Sequence, residues 1–259
     1  MDFQQVLQQY RIVEGGGIAM LIRHKKTFNM GLLFAVSFVG VLALIFSPIF
    51  PGQKGKINGL EYSDELFNKL SKGSSYFIPE IGKNAEQFKG KPFSVTVAMD
   101  SAEAAKQAVK VFTVAGAQAV ANDKQLTLNG DLGATLASAL ADSDAMYKNE
   151  GAKIAARYGF DEKEVMSVWW SALNKSVKEL QKAKKIEEAS VILSVMRKGI
   201  EPSYNFYGIE SQRVIDKAFL MTGLLVFYVL YTMWWGYAIF YLFDGMGLSM
   251  KKAKVKKEV

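Results

Sequence analysis

The chain has 259 residues, half of them hydrophobic and 22% charged, with a formal net charge of +7, no cysteine and one histidine, His24. That apolar content excludes a disordered chain, and the missing thiols exclude disulfides, cysteine nucleophiles, iron–sulfur clusters and Cys/His zinc sites. The positive charge does not mark a nucleic-acid binder: residues 54–217 carry 23 basic against 21 acidic groups, and the excess sits beside two apolar runs, as positive membrane borders require.

Residues 1–26 form a first segment, read as cytoplasmic. Phe3, Val6, Leu7, Tyr10 and Val13 recur at helical spacing before Gly15, Gly16 and Gly17 break the pattern, so an amphipathic helix and an unordered terminus are both open. Residues 27–53 lack any charge, long enough for a transmembrane helix, which needs roughly 20 apolar residues, with an exit loop. Pro48 and Pro51 end it. The run exceeds a signal-peptide core and no A-x-A-like site follows, so it is expected to remain as an anchor.

Residues 54–217 read as an extracytoplasmic α+β domain. Ser63 is a candidate cap for a helix through Leu66, Phe67 and Leu70, ending near Gly73. Phe93, Val95, Val97 and Met99 alternate with Ser94, Thr96 and Ala98, a half-buried strand. Asp100 or Ser101 then caps an Ala-rich helix bearing Ala105, Ala108 and Phe112, and a short strand, Leu126–Leu128, ends at an Asn129-Gly130 turn. The order strand, helix, strand predicts a small βαβ or split-βαβ unit packed on helices. The remainder is helical, from Leu132 to about Tyr158 with breaks at Gly133 and Gly151, then from Phe160 to Lys198 behind an Asp161 cap. The lysines at 182, 184 and 185 leave one bent helix or two both open.

Residues 218–243 are again uncharged and form the second transmembrane helix, followed by a basic tail at 244–259. Near the span ends, eight Lys and Arg lie on the terminal sides against four on the domain sides, which places both termini in the cytoplasm. Phe227, Tyr231, Trp234 and Tyr241 share one face of this helix, while Ala218, Thr222, Thr232 and Gly236 group opposite. Small residues let helix backbones approach closely, so the second set is the expected helix-packing interface. Neither span carries an internal charge, which argues against an ion path.

Chemistry-bearing patterns are sparse. Asp142, Ser143 and Asp144 offer oxygen ligands, yet an EF-hand fails because Met146 and Lys153 fall at ligand positions, and loop solvation or a helix boundary is the reading. No phosphate-loop, dinucleotide, nucleophile-elbow or zincin motif occurs. No catalytic, cofactor-binding or metal residue is therefore expected, and no cofactor. Adjacent Trp169 and Trp170 point about 100° apart on a helix, so one is expected in the core and the other at a contact surface. Tyr204, Phe206 and Tyr207, between Pro202 and Gly208, suit a rigid loop at the membrane border or against a partner.

A short anchor, an extracytoplasmic α/β domain and a closing second anchor is also the plan of polysaccharide chain-length regulators. The likeness is one of architecture, and the spacer carries no long coiled coil. The expectation is a two-pass inner-membrane protein whose periplasmic domain acts by contact, as a non-catalytic accessory or scaffolding subunit. Its partners are the lipid bilayer and other membrane subunits or a second copy, not nucleic acid. A small-molecule-sensing module signalling through a partner, or a protein similar to the chain-length regulators, is the alternative.

Overall fold

The computed structural model describes residues 22–53 and 55–248; the expected amphipathic helix at 1–13 and the basic tail beyond 248 lie outside the described residues. The fold is mostly helical with two small antiparallel sheets. Contacts divide the chain into one unit spanning Leu66–Val214 and another joining the described residues before Leu66 to those after Val214.

Helix α1 (Lys25–Phe46) ends where Ser47 turns extended ahead of Pro48, the conformation that a following proline imposes. Strands β1 (Phe50–Gly52) and β2 (Gly55–Ile57) pair antiparallel. Helix α2 (Gly59–Ser74) begins a turn before the expected Ser63, because Asn58 Oδ1 accepts from the Leu60 and Glu61 amides and so satisfies two orphan donors. Helix α3 (Ile78–Glu86) leads into β3 (Pro92–Ala98), α4 (Ala102–Val114), β4 (Gln118–Asn122) and β5 (Gln125–Asp131). The sheet order is β3-β5-β4, all neighbours antiparallel, which is the split form of a βαβ unit. Sequence reading missed β4, since Gln-Ala-Val-Ala-Asn holds one β-branched residue. It also misread Asn129-Gly130 as a turn: both pair inside the sheet, with Ser94 and Phe93.

One sheet face is buried, with Val95 opposite Leu128 and Val97 opposite Leu126; the other carries the Thr96–Thr127 hydroxyl pair at 3.1 Å. Helix α5 (Leu132–Tyr147) starts behind Asp131, whose carboxylate accepts from the Ala134 amide at 2.9 Å and the Gly90 amide at 2.6 Å. Those bonds favour the charged form and hold its pKa below the usual carboxylate value. Gly133 therefore sits in the first turn instead of breaking a helix. Helix α6 (Gly151–Tyr158) follows. The stretch left open becomes two helices, α7 (Glu162–Lys182) and α8 (Ile186–Val195). They are divided by Lys184 at φ 61°, where the Lys185 amide reaches back to Leu180 and the Lys184 amide to Gln181, a Schellman closure. A π-turn (Met196–Ile200), the short helix α9 (Glu201–Asn205) and a 3-10 turn (Val214–Lys217) precede helix α10 (Ala218–Gly245).

The core of the Leu66–Val214 unit turns on Asp142, which is not a loop residue but lies on α5 and is 3% exposed. Its carboxylate accepts from the Tyr158 hydroxyl at 2.5 Å, Trp169 Nε1 at 2.9 Å and Arg157 at 2.9 Å. Burial and this carboxylate push the Tyr158 pKa far up, so the phenol stays a donor. Trp169 is fully buried against Phe112 at 4.7 Å between ring centroids. Removing one member of a buried charged network strands its partners. Asp142→Ala should cost about 3 kcal/mol of stability, and Asp142→Asn, which keeps an acceptor, distinctly less. Thermal unfolding of the two variants checks this, and equal losses would deny the carboxylate its role.

Candidate functional site

Helices α1 and α10 are each long and apolar enough to cross a membrane. They pair antiparallel. At one end the Arg23 and His24 amides both donate to the Gly245 carbonyl at 2.9 Å, so the unsatisfied N–H groups opening α1 meet an unsatisfied carbonyl closing α10. Further along, Phe34 stacks on Tyr241, and Phe38 stacks on Tyr231 with ring centroids 4.1 Å apart. The polar atoms of the α10 rings reach the other backbone: Tyr231 donates to the Phe38 carbonyl at 3.0 Å and Trp234 Nε1 to the Phe34 carbonyl at 3.1 Å. In lipid such donors have no water to turn to, and each bond contributes about 0.6–2 kcal/mol.

The pairing of α1 with α10 thus uses the aromatic stripe, and the small-residue face expected to pack on a partner helix or on the first apolar helix takes no part in it. Ala218, Thr222, Thr232 and Gly236 are all exposed or half-exposed, and a Cβ on Gly236 would meet nothing. The two threonine hydroxyls bond back to the carbonyls of Ala218 and Tyr228, four residues earlier. The small residues that do permit close approach are Gly31, where a Cβ would meet the α10 backbone, and Gly245, where it would meet Phe28. Ala238 is buried as well. Gly31 was visible as one of two glycines in α1, but a Cβ on the other, Gly40, would meet nothing, and the sequence does not say which of them faces α10.

In the other unit the two tryptophans part as expected. Trp169 is in the core, and Trp170 is 39% exposed, its Nε1 donating to Glu201 Oε1 at 2.9 Å. The segment 201–208 is not the loop inferred from its composition. Pro202 lacks the N–H that an α-helix needs and would clash with the preceding turn. The chain answers with the π-turn, in which the Glu201 amide bonds back to Met196, and with Ser203 Oγ donating to the Gly199 carbonyl at 2.6 Å. Phe206 and Tyr207 pack against the core, Tyr207 donating to Glu162 Oε1 at 2.7 Å in space left by Gly151. That bond raises the Tyr207 pKa. These two are domain-packing residues, and Tyr204 is the aromatic of this segment left exposed. Trp170, Glu201, Tyr204 and Asn205 line one cleft with Met166, Ser167 and Ile200, of about 360 Å³.

A buried cation was not foreseen at all. Lys72 on α2 is 2% exposed, and its ammonium donates to Asn149 Oδ1 at 3.0 Å, the Phe206 carbonyl at 3.0 Å and the Ile209 carbonyl at 2.6 Å. Nζ lies 5.1 Å from the Tyr147 ring centroid, and the Tyr147 hydroxyl donates to the Lys72 carbonyl. Asn149, at φ 62°, also accepts from the Gly208 amide and donates to Ile209. Lys72 thereby fastens α2 to the segment after α9, with three carbonyl oxygens in place of a carboxylate. Burial lowers its pKa.

These geometries set two expected outcomes. Gly31→Leu should overpack the helix pair and cost about 2 kcal/mol, with loss of near-ultraviolet circular dichroism from the stacked rings, whereas Gly236→Leu should leave that signal intact. For Lys72, the folded state releases its proton at a lower pH than the unfolded chain. Between that lowered value and the ordinary 10.5 the unfolded state binds more protons, so stability rises with pH. Wild type should gain stability relative to Lys72→Met as pH is raised toward 10.5. Paired melting curves of the full chain in detergent read this difference, and a difference that shrinks with pH contradicts the buried cation.

Compared with known proteins, the chain matches no family model, no curated protein and no solved structure, so the site is interpreted from its geometry.

Proposed function

We propose that the chain is a two-pass inner-membrane protein with both termini cytoplasmic and residues 54–217 extracytoplasmic, acting without catalysis as an accessory or scaffolding subunit of a membrane complex. The observation that carries this reading is the division of labour on α10: its aromatic side is spent on α1, and the face bearing Ala218, Thr222, Thr232 and Gly236 stays uncovered. In lipid, where helices associate by close packing and not by a hydrophobic drive, a small-residue face is the kind that a further helix fits. The partner is a helix of another membrane subunit or of a second copy. The antiparallel pairing supports termini on one side, since Arg23 and Gly245 are joined by a hydrogen bond; the basic excess beside that end supports the cytoplasm as the side.

The reading is tested in two ways. Cysteines introduced at Ser63 and Ser249, in a chain without native thiols, should differ in intact cells, the first labelled by a membrane-impermeant reagent and the second protected; the reverse pattern overturns the topology. Membrane proteins that co-purify with the wild type in mild detergent should be depleted by Gly236→Leu and retained by Phe227→Leu. Equal recovery with both variants would remove the small-residue face from the interface.

A further inference from the structure

The cleft between α7 and α9 has a composition that selects a ligand class. Two aromatic rings, Trp170 and Tyr204, share it with buried Met166 and Ile200, and Glu201 is the one charged group in its lining. Trp170 Nε1 holds one carboxylate oxygen of Glu201, and among the described residues no ion pair neutralises that carboxylate. The π-turn makes this arrangement possible: one extra residue in the turn rotates the next helical residues by about 100° relative to an uninterrupted α-helix. Glu201 is thereby brought to Trp170, while Ile200 stays buried.

An anion is repelled by Glu201, and a purely apolar ligand leaves a carboxylate desolvated beside it. A cation with apolar substituents meets both demands, because ring faces attract positive charge and a carboxylate neutralises it. One of the two rings already meets a cation: Lys163, which does not line the cleft, lies 5.8 Å from the Tyr204 centroid. A volume of about 360 Å³ is at the small end of ligand sites, suited to a headgroup-sized molecule and too small for a helix.

We infer that this cleft is a binding site for an alkylated ammonium group, seated against Trp170 and Tyr204 with its charge on Glu201. The chemistry is shared by free quaternary amines and by choline-type lipid headgroups. It does not rest on the proposed scaffolding role, and its failure would leave that role standing.

The test uses the full chain, labelled with 5-fluorotryptophan, in nanodiscs of phosphatidylglycerol. Trp170→Phe identifies the Trp170 fluorine signal among the four tryptophans. Choline should shift that signal saturably, while 3,3-dimethylbutan-1-ol, its neutral isostere, should not. Glu201→Gln keeps an acceptor for Trp170 Nε1 and should weaken choline binding about tenfold, with the Trp169 signal unchanged as a check on folding. In nanodiscs of phosphatidylcholine, a Trp170 signal already at its shifted position identifies a lipid headgroup as the source, and an unshifted signal that still responds to choline identifies a soluble one; both support the site. Equal response to the two probes, no saturable shift below about 10 mM choline, or unchanged affinity in Glu201→Gln would each overturn it.

Discussion

A carboxylate inside a protein survives only if donors replace the water it has lost, and Asp142 collects its three donors from two other helices. That requirement gathers three helices of the Leu66–Val214 unit. Tyr158 and Arg157 draw α6 onto α5, and Trp169 draws α7. Because the side chain after Trp169 points about 100° away, fixing Trp169 in the core also fixes Trp170 outward, at the cleft. The same helix α5 presents Leu140 to Gly199 of the π-turn, where a Cβ would come within 2.8 Å of the leucine. The buried charge therefore fixes the α7 wall of the cleft, while α5 meets the π-turn beside the other wall through Leu140.

Lys72 meets the opposite need by other means. A buried ammonium without a carboxylate must direct all three N–H groups at oxygens, and here two are backbone carbonyls of 206–209 that no helix or strand satisfies. The dependence is unequal: the Phe206 and Ile209 carbonyls keep bonds from the Ile209 amide and from Asn149, whereas the lysine would be a bare charge without them. Asn149 can complete the set because it tolerates the left-handed backbone that points both ends of its amide at this segment. A hydrophobic residue at position 72 would fill the space but release the segment.

Sequence reading succeeded where one residue and its near neighbours decide the outcome. The alternation in β3, the Ser101 and Asp161 caps and the lengths of the two apolar helices are local facts, and all recur in the structure. The parting of Trp169 and Trp170 followed from helix geometry alone. It failed where a partner distant in sequence decides. Asp142 looks like a loop residue until Trp169 and Tyr158 are placed beside it, and Lys72 looks like any surface lysine until residues 206–209 fold over it. The segment 201–208 was misjudged because Pro202 and Gly208 signal a turn, whereas the packing of Phe206 and Tyr207 against the core lets a helix absorb the proline through a π-turn.

The helix pair shows why α1 and α10 meet through the aromatic stripe. Counting small residues identifies where backbones can approach, but tyrosine and tryptophan on an apolar helix also carry donors, and here Tyr231 and Trp234 find their acceptors in the carbonyls of the other apolar helix. Tyr231 and Trp234 therefore commit the aromatic stripe to α1. Gly31 and Gly245 allow the two backbones to approach closely at the other end of the pair. Thr222 and Thr232, whose hydroxyls are answered within their own helix, place no such demand. Their face is free because it needs nothing, which is the condition under which shape alone can select a neighbour.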